Sequence, residues 1–123
     1  MPAYNFSERF AALVAAGFQT PPVGRVKRQT IRRRRKNPTR PGQMIYAYTG
    51  MRTKKCRQLG VAVCRKVNPL RISTDGIELR GSLLCVWERD QLVYEDGFDS
   101  IAELKRWFAE HYGLPFEGEV IYW

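Results

Sequence analysis

The apolar positions Phe6, Phe10, Leu13 and Val14 fall on one face when the chain is wound at 3.6 residues per turn. Ser7 is suited to cap that turn, Glu8 to sit in its first turn and Gly17 to end it, which predicts a helix over residues 7–16. Pro21-Pro22 and Gly24 then predict a loop over residues 18–26. Lys27 to Arg32 reads as a short extended piece. After Pro38 and Pro41-Gly42, the aromatic and β-branched run Gln43-Met44-Ile45-Tyr46-Ala47-Tyr48-Thr49 predicts a strand. Residues 59–67 and 70–73 predict two more, broken at Asn68-Pro69. Asp75-Gly76 marks a turn, followed by a strand over Ile77-Glu78-Leu79. Residues 83–94 fit a hairpin or a short helix, because Leu83, Leu84, Val86, Trp87, Leu92 and Val93 follow neither period.

A second helix is better defined. Ser100 and Glu103 have the spacing of a capping box, and Ile101, Leu104, Phe108 and Tyr112 form its apolar stripe. Gly113 and Pro115 stop it, and Val120-Ile121-Tyr122-Trp123 predicts a last strand. The expected class is α+β: a small β-barrel of about five or six strands with two flanking helices, in a single domain over residues 1–123. The 44% apolar content and fifteen aromatics suit one packed core.

Charge sharpens this picture. From Arg9 to Arg71 there are seventeen Lys or Arg residues and no Asp or Glu, and eleven of the twelve acidic residues follow position 74. The formal net charge is +9. Like charges this dense repel unless an anion sits among them, and a nucleic-acid backbone is the commonest such anion. Arg25, Arg28, Arg32, Arg33, Arg34, Arg35 and Lys36, with Arg52, Lys54 and Lys55 in a second basic loop, are therefore the expected nucleic-acid contacts. Tyr4, Tyr46 and Tyr48 are interleaved with them and could stack on bases, although Tyr46 and Tyr48 share one face of a strand, of which at least one face is expected to be core rather than platform. Membrane binding is disfavoured because neither predicted helix sets a basic face against an apolar one. No apolar run has the length of a membrane span and no secretory leader is evident, so the expected location is cytoplasmic.

Three cysteines cannot all pair within one chain, and Cys56, Cys64 and Cys85 repeat no disulfide framework. With His111 as the one histidine and no Cys-x-x-Cys, neither a metal nor another cofactor is expected.

The order of motifs resembles the ASCH-domain proteins, small relatives of the PUA-like RNA-binding barrels. The resemblance is carried by Lys27-Arg28-Gln29-Thr30-Ile31-Arg32, by Tyr48-Thr49-Gly50-Met51-Arg52-Thr53-Lys54 with Cys56, by Asp96-Gly97-Phe98 before a helix bearing Trp107-Phe108, and by Tyr112-Gly113-Leu114-Pro115-Phe116-Glu117-Gly118. It covers nearly the whole chain, with departures at residues 18–26 and 82–94. It implies a PUA-like barrel whose basic cleft holds single-stranded RNA or a modified nucleoside.

Among such relatives, one subgroup removes the acetyl group from acetylated cytidine with a Lys, a Thr and a Glu, and another member cleaves RNA. The Lys and Thr match Lys27 and Thr30; the Glu falls closest to Asp96, one methylene shorter. The leading expectation is thus an RNA-binding module. The alternative is a hydrolase of a nucleoside amide or an RNA phosphodiester using Lys27, Thr30 and Asp96. A third is a domain that docks its basic face on an acidic protein. On residues alone, Lys27 with Arg25, Arg28 and Arg32 nearby is the best base, since neighbouring cations disfavour its charged form.

Overall fold

A computed structural model describes residues 2–19 and 24–123. The elements in chain order are β1 (Ala3–Phe6), α1 (Glu8–Ala16), β2 (Gln29–Arg32), β3 (Met44–Thr49), β4 (Arg57–Val63), β5 (Lys66–Ser73), β6 (Gly76–Leu79), β7 (Ser82–Leu83), α2 (Val86–Glu95), α3 (Ile101–His111) and β8 (Phe116–Tyr122). The α+β class holds. The Pro21-Pro22 loop lies outside the described residues.

Among the described residues the strands do not close into one barrel. They form a three-stranded sheet in the order β1-β3-β4 and a five-stranded sheet in the order β2-β8-β5-β6-β7. The physical reason shows in the gap between β2 and β1. There the Arg32 guanidinium donates to the Asn5 carbonyl at 2.8 Å and that of Arg35 to the Ala3 carbonyl at 2.7 Å. Side chains thus occupy backbone acceptors that a closing ladder would need. Nor are there two helices but three among the described residues: α2 forms from the stretch whose periodicity is ambiguous.

Two further boundaries differ from expectation. Residues 3–6, for which the pattern predicts no element, are a strand paired in parallel with β3 (Ala3 with Tyr46, Phe6 with Thr49), while the helix expected over 7–16 is found at Glu8–Ala16. β5 also runs straight through Asn68-Pro69. Pro69 lacks an N–H, but its strand partner is Glu119 of β8 and its carbonyl still accepts the Arg80 N–H at 2.9 Å; the β6 ladder begins one residue later at Leu70. The break falls instead at Cys64-Arg65, where the chain passes from one sheet to the other.

β3 alternates strictly. Ile45, Ala47 and Thr49 are buried, while Met44, Tyr46 and Tyr48 face outward. The core gathers side chains from both sheets and all three helices, including Phe6, Phe10, Val14, Val93, Phe98, Leu104, Phe108, Phe116, Val120 and Ile121. Phe98 meets Phe10 and Trp107 edge-to-face, with ring centroids 5.3 and 6.0 Å apart. This aromatic cluster seats the loop after α2 against α1 and α3. Ser100 caps α3 as expected, its Oγ accepting the Glu103 N–H at 3.1 Å; the Glu103 carboxylate accepts a bond from the N–H of Asp99.

Candidate functional site

Lys27 stands two residues before β2, and its backbone N–H donates to Leu13 of α1. Asp96 caps the C-terminus of α2, its N–H donating to the Leu92 carbonyl at 3.0 Å. The turn after it needs Gly97, which has φ +100; a Cβ there would stand 2.8 Å from the Phe10 ring. These local constraints bring together two groups 69 residues apart. Lys27 Nζ lies 3.1 Å from Asp96 Oδ1, with both side chains under 5% exposed. Lys27 Nζ also donates to the Asp96 backbone carbonyl and stands 5.0 Å from the centre of the Phe10 ring. Gln29 Nε2 adds a donor to Asp96 Oδ1 at 3.2 Å.

Thr30 and Arg32 sit two residues apart on β2, and Arg32 Nε donates to Thr30 Oγ1 at 2.9 Å. Lys27, Thr30, Arg32 and Asp96 line one cleft of about 70 Å³, walled by Phe6, Phe10, Phe98, Trp107 and Tyr112 and edged by Asn5 and Ser7. Burial is the largest influence on both partners of the ion pair. It pushes the Lys27 ammonium below, and the Asp96 carboxyl above, their ordinary ranges, and the mutual attraction of the two charges resists both shifts. Arg32 and Arg25 contribute to the Lys27 shift only after burial and Asp96, and Arg28 is not among its causes. The neighbouring cations are therefore not the main source of the perturbation, contrary to what the sequence suggests.

The basic residues divide into two groups. Some are held by the fold. Arg25 pairs with Asp99 at 2.9 Å, donates to the carbonyls of Tyr94 and Phe98, and lies 4.0 Å from the centre of the Tyr94 ring. Arg28 Nε donates to Gly17. Arg32 and Arg35 bridge to β1 and lie over aromatic rings, Arg35 at 3.9 Å from the centre of Tyr4. The sequence marks these four as nucleic-acid contacts; each guanidinium makes at least one hydrogen bond within the protein, while Arg28 and Arg35 remain exposed. Tyr4 is unavailable for stacking, being 1% exposed with its hydroxyl bonded to Thr39.

Arg33, Arg34, Lys36, Arg52, Lys54 and Lys55 are exposed and have no carboxylate partner among the described residues. Arg33 lies 4.9 Å from the centre of Tyr112, a wall of the cleft. Arg52 has φ 66 in the loop after β3, an uncommon conformation for a side-chain-bearing residue.

Sequence reasoning missed Asn5 and Gln29. Asn5 joins the two basic segments to the cleft: its carbonyl receives Arg32, and its Oδ1 receives the N–H of Met51 at 3.0 Å. Gln29 carried a readable signal, a large amide in a strand between Lys27 and Ile31; Asn5 carried none.

Cys64 is buried, and burial pushes its thiol up; Cys56 and Cys85 are exposed. His111 stacks on Trp107 at 3.9 Å and bonds to its carbonyl. Among the described residues no three His, Cys, Asp or Glu side chains stand where they could share a metal ion, and no helix is long and apolar enough to cross a membrane. Comparison with known proteins finds no matching family model, no matching curated protein and no matching solved structure.

Proposed function

We propose that this protein is an RNA-binding module of ASCH, PUA-like type that holds a single-stranded or modified nucleotide at the Lys27–Asp96 cleft. One observation carries the reading: Asn5 ties the Arg33–Lys36 segment, through Arg32, and the Arg52–Lys55 loop, through Met51, to the edge of the same aromatic cleft. Exposed cations beside aromatic walls are the combination that tracks a phosphate backbone while admitting a base. The test is fluorescence anisotropy with a labelled single-stranded RNA of roughly 12 nucleotides and its duplex, within the ordinary span of one small domain. The single strand should bind tighter. A variant carrying Arg33→Ala, Arg34→Ala, Lys54→Ala and Lys55→Ala should lose most of that affinity. Absence of binding at low salt, or unchanged binding by the fourfold variant, sinks the reading.

A second reading rests on the burial of the Lys27–Asp96 pair. Two buried charges are costly to maintain, and a buried Lys with a depressed pKa beside a cleft is a recurrent general base. In this reading the substrate is an acylated cytidine. Neutral Lys27, oriented by Asp96, takes a proton from water as the water oxygen adds to the acyl carbonyl. Thr30 hydrogen-bonds to the carbonyl oxygen. The C–N bond then breaks, the proton passes from Lys27 to the departing nitrogen, and cytidine leaves with acetic acid, which gives up its proton to solvent as acetate. Acetate released by the wild type but not by Thr30→Val or Lys27→Met would establish it. No release by the wild type leaves the binding module alone.

A further inference from the structure

The outward face of the three-stranded sheet is unusually apolar. The β3–β4 register sets Met44 opposite Val63 and Tyr46 opposite Val61, and Tyr48 opposite Gln58 beyond a bulge. Cross-strand partners share a face, so Met44, Tyr46, Tyr48, Val61 and Val63 all project outward. Met44, Val61 and Val63 are 39, 37 and 50% exposed, and both tyrosines are half-buried.

No acidic residue occurs in β3, in β4 or in the loop between them; Arg40 precedes β3, Arg52, Lys54 and Lys55 lie in the loop, Arg57 opens β4, and Arg65 follows β4 with its Nε donating to the Trp123 carbonyl at 3.2 Å. Of these, Arg57 alone makes a carboxylate contact among the described residues, to Glu8 at 3.4 Å. At one end Met44 opens onto a groove of about 700 Å³ lined by Arg35, Lys36, Pro38 and Gln43. At the other, the β1 partner of Tyr48 is Asn5, the residue at the cleft's edge.

We infer that this sheet face is a second nucleic-acid site, a stacking platform that carries a single strand from the Lys36 groove across Tyr48 to the cleft. The inference rests on the RNA-binding reading above and adds a track to it. Charge complementarity selects the occupant: an apolar, aromatic face flanked by cations that outnumber the one nearby carboxylate, Glu8, suits bases with their phosphates at the border. From Met44 to Tyr48 the strand advances about 13 Å, at roughly 3.3 Å per residue, enough for about two unstacked nucleotides.

The experiment compares labelled oligouridines of roughly 4 and 12 nucleotides on Tyr48→Leu, Val61→Glu and Val61→Lys, using anisotropy at one salt concentration, with sedimentation to report association between copies. Tyr48→Leu should weaken the longer oligomer roughly tenfold, the loss of about one stacked base, and leave the shorter one near its wild-type affinity at the cleft. Val61→Glu should weaken the longer oligomer as strongly. Val61→Lys, an equal burden on folding, should bind it at least as well as wild type.

Equal loss in the Glu and Lys variants, or no loss in any, overturns the platform while the cleft reading stands. Wild type that binds neither oligomer overturns both. A wild type that self-associates, with Val61→Glu returning it to monomer and leaving RNA affinity unchanged, shows that the face joins copies of the chain, and also overturns the platform.

Discussion

At the residue scale the decisive feature is the buried Lys27–Asp96 pair. Removing one member of such a pair strands the other charge in the interior, which costs about 3–5 kcal/mol, whereas replacing both with apolar side chains of similar size is often neutral. Lys27→Met and Asp96→Leu alone should each lower stability by about that amount in chemical denaturation, and the double variant should recover most of it. Full additivity of the two losses would show that the groups do not act as a pair. The pair also predicts a pH signature. Asp96 titrates above its unfolded value of about 3.9, so in that window the folded state binds more protons and stability falls as pH rises through it. Lys27 titrates below about 10.4, so the folded state binds fewer protons there and stability rises with pH through that upper window. Wild type should therefore show a mid-pH trough in stability that the double variant lacks. Lys27, Thr30 and Asp96 are singled out by the resemblance and share one cleft; the reason for the Lys27 shift was not legible, because burial depends on Phe10 and on residues distant in sequence.

At the scale of elements, legibility followed period. α3 has a capping pair and an uninterrupted apolar stripe, and its bounds were readable. α2 was not, because only Leu92 and Val93 of its apolar residues are buried while Val86 and Trp87 are 62 and 74% exposed, which erases the helical stripe. β1 was hidden because Phe6 fits both a two-residue alternation with Tyr4 and a helical spacing with Phe10; only pairing with β3 decides. The connection from α2 to α3 turns on Gly97. Gly97→Ala places a side chain at φ +100 and pushes a methyl into the Phe10 ring, so it should destabilise by about 2 kcal/mol. Because Asp96 precedes it, the same variant should perturb the cleft: Trp107 fluorescence is expected to shift along with the melting temperature. A variant as stable as wild type would mean that the turn tolerates other conformations.

At the scale of the whole molecule, the charge asymmetry visible in the sequence becomes a surface, although not the one that counting implied. Arg25, Arg28, Arg32 and Arg35 are engaged by the fold, which leaves Arg33, Arg34, Lys36, Arg52, Lys54 and Lys55 as exposed cations without carboxylate partners among the described residues. If about four of these meet phosphates, the logarithm of affinity for single-stranded RNA should fall with the logarithm of salt at a slope near −3, or about fifty-fold between roughly 50 and 200 mM. Replacing Arg33, Arg34 and Lys36 by Ala should flatten the slope by up to about 2, since every phosphate no longer neutralised reduces its steepness by about 0.7. Arg25→Ala is the contrasting variant: its guanidinium pairs with Asp99 and donates to the carbonyls of Tyr94 and Phe98, so its loss should lower the unfolding midpoint while changing the slope little. A slope that flattens with Arg25→Ala but not with the triple variant would reverse this division between cations that hold the fold together and cations that hold the ligand.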